Sequence, residues 1–292
     1  MAAVTRARQM GRTDLEVRAT RDRVLLREFL EQDRLFAAYA ICDLDEREFA
    51  KTRWGVAFER GRPIALALEY GGLAPQPLFV MGDPEGIAQI LRTVIRPRLA
   101  YLAAPAAALD AVDSVYRIDP GPPMVRMWVD GAAFQPMTGV ATATRLVPAD
   151  IGDLNRLYNL GFTSWLPAES IASGVYFGVR INGRLVAAAG THVVSRESRL
   201  ACVGNVLTHQ DFRGRGLAKL TTGAVTQELL RFCDQAVLNV RSDNPPALAA
   251  YRALGYVDHA HFDERLVRRR GALWDSIVTP FRRFMPVQRR PE

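Results

Sequence analysis

Lysine is almost missing from this chain of 292 residues: Lys51 and Lys219 are the only two among 38 basic residues, and arginine supplies the rest. That bias reads as genome composition rather than chemistry. Cysteine is scarce as well. Cys42, Cys202 and Cys233 are odd in number and far apart, which excludes a disulfide framework and any zinc-ligand spacing, so no metal is expected. No run of about 18 apolar residues occurs, which excludes a membrane-spanning helix. Residues Met1–Thr20 are polar and Arg-rich and carry no apolar core of a secretion signal, so a soluble protein of the reducing cytoplasm is expected. With 49% hydrophobic and 24% charged residues the chain is neither disordered, collagenous nor a coiled coil.

The length predicts about two domains. The net charge of +7 is concentrated at the ends: residues 1–24 contribute +3 and residues 265–292 contribute +6, which leaves −2 between them. Neither end combines aromatic residues with a fold that binds nucleic acid, so the ends read as solvated tails and nucleic acid is not an expected partner. The expected organisation is a basic flexible tail (1–21), a first domain (22–133), a linker (134–142), a second domain (143–268) and a basic extension (269–292). Within that extension the apolar and basic run Leu273–Met285 is expected to dock on the body, with Pro280 interrupting any helix.

Periodicity predicts the elements. The first half reads as helical segments over 22–41, a hairpin of 54–60 and 64–70, a strand at 77–81, and a helix from Asp83-Pro84 to about Val94. A strand at 99–103, a helix over 105–115 and a strand at 125–129 follow, the last with Arg126 and Trp128 facing outward. The second half repeats a similar order with little identity: strand 144–147, a helix capped by Asp150, a short helix at 167–173, and a hairpin of 175–180 and 185–194 turned by Asn182-Gly183. A strand at 199–208, a helix over 216–232, a strand at 236–240, a helix over 246–254 stopped by Gly255, and a strand at 256–267 complete it. An internal duplication is expected.

The most informative stretch joins a strand to a helix through Arg213-Gly-Arg-Gly-Leu-Ala218. Glycines let a backbone approach a ligand closely, and the free N–H groups of a first helical turn, with the helix dipole, suit a pyrophosphate. Arg213 and Arg215 add charge. An ordinary surface turn is the plain alternative. Lys219 stands in the wrong place for a Walker loop, and it occupies the third glycine position of a dinucleotide fingerprint.

This loop resembles the Arg/Gln-x-x-Gly-x-Gly/Ala signature of the GNAT superfamily of N-acetyltransferases. Asn244-Pro-Pro-Ala-Leu-Ala-Ala-Tyr-Arg-Ala-Leu-Gly-Tyr256 resembles the family's second element, Asn-x-x-Ala-x-x-x-Tyr-x-x-x-Gly-Phe/Tyr. The resemblance covers about residues 143–267, and Gly204-Asn-Val-Leu-Thr-His209 is similar to the glycine N-acyltransferase-like branch, whose members carry an extra N-terminal region. It implies a mixed α/β acyl-CoA N-acyltransferase fold, two such domains in tandem. The first is expected not to bind CoA, because Asp83-Pro-Glu-Gly86 stands near the place of its glycine loop.

The resemblance further implies acetyl-CoA as co-substrate, lying between two splayed parallel strands. The pantetheine would meet the backbone of Val206, Leu207 and Thr208, with the oxyanion donor at Leu207. The pyrophosphate would sit on Gly214, Arg215, Gly216, Leu217, Ala218 and Lys219, beside Arg213. An amine of a small molecule or protein would attack directly, with no covalent enzyme intermediate. Tyr251 is the candidate general acid for the departing thiolate, with core packing as its plain alternative, and Asn244 either contacts the CoA arm or caps its helix. His192 is the candidate base, with Glu197, Glu169 and water as further options, while His209 reads as a loop-shaping residue. Phe162, Trp165 and Tyr176 either line the acceptor pocket or fill core. A non-catalytic CoA sensor or scaffold, and an acyltransferase using a longer acyl-CoA, are the alternatives. The expected state is a monomer or homodimer.

Overall fold

The computed structural model describes residues 15–137, 143–159 and 166–271. In chain order its elements are β1 (Leu15–Thr20), α1 (Arg23–Leu30), α2 (Ala38–Cys42), α3 (Glu46–Phe49), β2 (Thr52–Glu59), β3 (Arg62–Tyr70), β4 (Gln76–Gly82), α4 (Pro84–Thr93), β5 (Leu99–Pro105), α5 (Leu109–Asp113), β6 (Tyr116–Ile118), β7 (Met124–Asp130), β8 (Thr144–Arg145), α6 (Ile151–Tyr158), α7 (Ala168–Ser173), β9 (Phe177–Ile181), β10 (Arg184–Ser195), β11 (Leu200–Thr208), α8 (Leu217–Leu229), β12 (Gln235–Arg241), α9 (Pro245–Arg252) and β13 (Val257–Arg269). Phe162, Trp165, residues 138–142 of the expected linker and the run Leu273–Met285 lie outside the described residues.

Contacts divide the chain into two compact units that interleave along the sequence: one takes its described residues from 1–21, 51–121 and 264–292, the other from 22–50 and 122–263. The sequence reading cut the chain once, at 134–142. The units cut it elsewhere: α1–α3 and β7, assigned from sequence to the first half, belong to the unit that holds the second. Leu15–Thr20, read as part of a flexible tail, is a strand antiparallel to β2, with Leu15 opposite Glu59 and Thr20 opposite Trp54.

In the first unit β1, β2, β3 and β4 run antiparallel in that order, and β5 lies parallel to β4 after the crossover through α4. Ile87, Ile90 and Leu91 recur at helical spacing along α4 and pack on Ala57, Ala65, Leu78 and Val80 of the sheet. Asp83 starts this helix by accepting the Gly86 N–H at 3.0 Å, and Pro84 brings no N–H of its own. A carboxylate thus stands where a bound anion would need free donors.

The second unit repeats the plan. Its β8, β9, β10 and β11 are antiparallel neighbours, and β12 lies parallel to β11 after α8. Strand β7 and the first part of β13 extend the sheet beyond β12. The β9–β10 turn has Asn182 at φ 51° and Gly183 at φ 77°, the pair of left-handed residues a type I′ turn requires. Alternation separates two faces. Val125, Met127, Val129, Leu238 and Val240 pack with Val225, Leu229 and Tyr251 on the side of α8 and α9. Arg126 and Asn239 therefore point to the opposite side, where Tyr39 of α2 lies against Arg126. Sequence alone has Arg126 facing outward; it is buried because α1–α3 cover that face.

Tyr176, a candidate for the acceptor pocket, is instead a core residue. Its hydroxyl donates to the Thr191 carbonyl at 2.9 Å and accepts from Asn205 Nδ2 at 3.0 Å. A Cβ added to Gly190 would lie 2.1 Å from this pinned ring. Gly190→Ala is therefore expected to destabilise the protein by about 2–3 kcal/mol, read as a fall of roughly 4–12 °C in the melting midpoint.

Candidate functional site

The site starts where two parallel strands part. Leu200–Val203 of β11 pair with Gln235–Leu238 of β12; the pairing ends there, although β11 runs on to Thr208 and β12 to Arg241. The unpaired half of β11, Gly204–Thr208, is half-exposed, while its paired half is buried. A bulge shapes this segment. Opposite β10 the register moves two residues, from Ala188 to Gly190, while β11 moves three, from Leu207 to Gly204. The extra residue is Asn205, at φ 52°. Its carbonyl accepts the Tyr158 hydroxyl and its amide reaches Tyr176, which together hold the left-handed conformation.

Backbone direction follows from these contacts. The His209 N–H donates to the Val186 carbonyl at 2.8 Å, and Leu207 stands opposite Ala188. Strand alternation then turns the N–H groups of Leu207 and His209 towards β10, and those of Val206 and Thr208 towards the opening. The hydroxyl of Thr208 is buried with no partner among the described residues.

His209 shapes the loop that follows, as its position suggested. It is buried, with Nε2 at 2.8 Å from Arg184 Nη2, Nδ1 facing the Asp211 carboxylate at 3.6 Å, and its ring edge-on to Phe212. Arg213 Nε donates to the Thr208 carbonyl at 3.4 Å and the Arg215 guanidinium lies 5.1 Å from the Phe212 ring centre. Gly214 and Gly216 have φ of 76° and 72°, and a Cβ added to either would meet nothing within 4 Å. The first bond of α8 runs from the Leu220 N–H to the Gly216 carbonyl at 3.0 Å. The N–H groups of Leu217, Ala218 and Lys219 are left over for a ligand at the helix start. Glycines without side chains, three free donors and an opened strand edge together fit the pyrophosphate and pantetheine of an acyl-CoA.

On the α8–α9 side, Asn244 caps α9 by accepting the Ala247 N–H at 3.3 Å. About two turns on, Tyr251 is 7% exposed and shares a cluster with Val206. Its ring lies 6.2 Å from that of Tyr256, and its phenol has no hydrogen-bond partner among the described residues. Burial pushes its pKa up to about 12.

His192 lies on the other face. Its imidazole covers Gly204, where an added Cβ would meet Nε2 at 2.3 Å, and Nδ1 is 2.8 Å from the Tyr39 hydroxyl. The residue is reached by solvent, yet the surrounding protein crowds the ring and lowers its pKa; the Asn205 amide opposes that shift and the positive charge of Arg126 adds to it. The imidazole is therefore expected to stay neutral below the ordinary midpoint of about 6.5. Proton NMR titration, with His192→Gln identifying the resonance, checks this: a midpoint at or above that value contradicts it. The other candidate bases are held in ion pairs, Glu197 with Arg27 at 2.9 Å and Glu169 with Arg47 at 3.0 Å. Sequence reasoning missed Asn205, Tyr39 and Arg126. A Gly-Asn pair inside a strand pattern was a signal for the bulge; nothing local pointed to the other two. Among the described residues no group of three potential ligands could hold a metal ion.

Residues 151–256 match the model of the Acetyltransferase (GNAT) family. No curated protein matches the chain. Solved structures share its architecture. A GCN5-related N-acetyltransferase from Sphaerobacter thermophilus matches at 14% identity, over 87% of this chain and 95% of that one, with a TM-score of 0.59. One from Kribbella flavida matches at 20% identity, over 72% and 89%, with a TM-score of 0.54. A tandem GNAT protein from the clavulanic acid biosynthesis pathway matches at 15% identity over 89% of this chain and 99% of that one, with a TM-score of 0.53. The chain has the mixed α/β GNAT fold, and the stretch that matches the family model carries the opened strands and the glycine loop.

Proposed function

We propose that the protein is an N-acetyltransferase that moves the acetyl group of acetyl-CoA directly to an amine, small-molecule or protein, in a ternary complex. The observation that carries this reading is the parting of β11 and β12 directly before the glycine loop and the free N–H groups of α8. The second unit holds the site, since the equivalent helix start in the first is already capped by Asp83. The oxyanion donor is the Val206 N–H rather than that of Leu207, because strand alternation aims the former into the opening.

Acid and base stand on opposite faces of the sheet. Tyr251, kept protonated by burial, gives its proton to the departing thiolate. His192, held by Tyr39 and kept neutral by its surroundings, takes the proton of the attacking amine. The glycine N-acyltransferase-like pattern Gly204–His209 supports placing the chain near that branch.

Calorimetry with acetyl-CoA, followed by thiol release on addition of an amine panel, tests the reading. Binding with amine-dependent thiol release is expected. Binding without transfer to any amine turns the protein into a CoA sensor, and no binding removes both roles. Repeating the titration with longer acyl-CoAs measures the acyl preference.

A further inference from the structure

The second unit holds a cavity of about 380 Å³ between α7, the end of α8 and the end of β10. Val175, Val194 and Phe232 give it apolar walls, and five charged side chains line it. Most of those charges are already met. Arg145 pairs with Glu228 at 3.5 Å, and Glu197 pairs with Arg27 at 2.9 Å. The exposed guanidinium of Arg196 lies 3.9 Å from the Phe232 ring centre, where solvent screens its charge.

Asp45 is the exception. It is half-buried, and among the described residues its carboxylate forms no ion pair. Its Oδ1 accepts the Ser195 hydroxyl at 2.7 Å, and that hydroxyl in turn accepts the Ser198 N–H at 2.9 Å, so a buried serine fixes the direction of the carboxylate. Burial pushes the pKa of Asp45 above the usual carboxylate value, a shift that the Ser195 bond opposes. A fixed, partly desolvated carboxylate beside apolar walls suits a cation that carries carbon: an ammonium or guanidinium group on a short aliphatic chain.

The cavity is remote from the opening between the strands. Glu228 follows Leu217 by eleven residues on α8, about 16 Å along the axis at 1.5 Å per residue. Ser195 lies opposite Leu200 at the start of β11, whereas the strands part after Val203. A ligand here is therefore not the group that meets the thioester. It still acts on a segment that reaches the site. Tyr39 bonds His192 and Asp45 bonds Ser195, so two hydrogen bonds tie residues 39–45 to residues 192–195 of β10. A cation on Asp45 competes with the Ser195 hydroxyl for the carboxylate and so shifts that tie. We propose that the cavity is an effector site for a small organic cation held by Asp45, whose occupancy alters the surroundings of His192.

The test uses the full-length protein without acyl-CoA, so its outcome does not depend on the transferase reading. Butylammonium and butylguanidinium are titrated beside butanol and butyrate, with binding followed by calorimetry and the ring protons of His192 by NMR. At least one cation is expected to bind about tenfold or more tightly than butanol and butyrate, and to shift the His192 resonances. Asp45→Asn, which keeps an acceptor for Ser195, is expected to weaken that binding about tenfold or more. Ala172→Trp fills the cavity from an exposed position on α7 and is expected to abolish both the binding and the shift. No saturable binding of either cation, butanol or butyrate bound as tightly as both cations, or cation binding unchanged in Asp45→Asn overturns the inference. Binding that leaves the His192 resonances in place overturns the effector role. Should Asp45→Asn not fold, Ala172→Trp decides in its place.

Discussion

Gly216→Glu is expected to weaken acetyl-CoA binding about 100-fold in calorimetry. Two effects combine. Gly216 has φ of 72° as the residue before α8, and a residue with a Cβ is strained there by about 1–2 kcal/mol. The new carboxylate also stands at the start of α8, where it competes for the free N–H groups of Leu217, Ala218 and Lys219 and repels a pyrophosphate, at a cost of about 1–2 kcal/mol. The sum corresponds to roughly two orders of magnitude in Kd. Gly216→Ala separates the effects, since it carries the strain alone and is expected to lose no more than about 30-fold. Equal binding by the Glu variant and the unaltered protein would move the anion site away from this loop.

Tyr251→Phe is expected to lower kcat by about 100- to 1000-fold, the usual contribution of a positioned proton donor, with the Kd for acetyl-CoA unchanged. The substitution is clean because the phenol has no partner among the described residues, so no buried group loses a hydrogen bond. The ring also keeps its place beside Tyr256. Thermal stability should therefore stay the same, which separates catalysis from packing. A kcat within threefold of the original would reduce Tyr251 to a core residue, the alternative its burial also suits.

Much of the fold was legible because its signals are local. Asn182-Gly183 demands left-handed backbone wherever it stands, and Asp83-Pro84 starts a helix from its own chemistry. The loop from Arg213 to Gly216 announced itself in the same way. What escaped was set by distant partners. The alternation of Leu15, Val17 and Ala19 was hidden by the arginines around it, and only pairing with β2 makes a strand of it. Arg126 looked like a solvent residue on a half-covered strand; whether α1–α3 cover it depends on residues nearly a hundred positions earlier. The membership of those helices in the second unit leaves no trace in periodicity, because an amphipathic helix declares which side it buries but not against what. For the same reason the glycine loop could be read at once, while the groups around His192 could not.

The interleaving of the units also bears on how the chain is made. Cys42 of α2 donates its thiol to the carbonyl of Leu200, 158 residues later in the chain. At the usual pace of synthesis, about 5–20 residues per second, roughly 8–30 s separate the two on the ribosome. During that interval Leu26, Phe29, Leu30 and Ile41, all buried in the finished protein, have been made while β11 has not. The first unit is also incomplete, since Val267 of its core comes near the end of the described chain. Neither unit can close before most of the polypeptide has emerged, and separate expression of either half would leave both with unfinished cores.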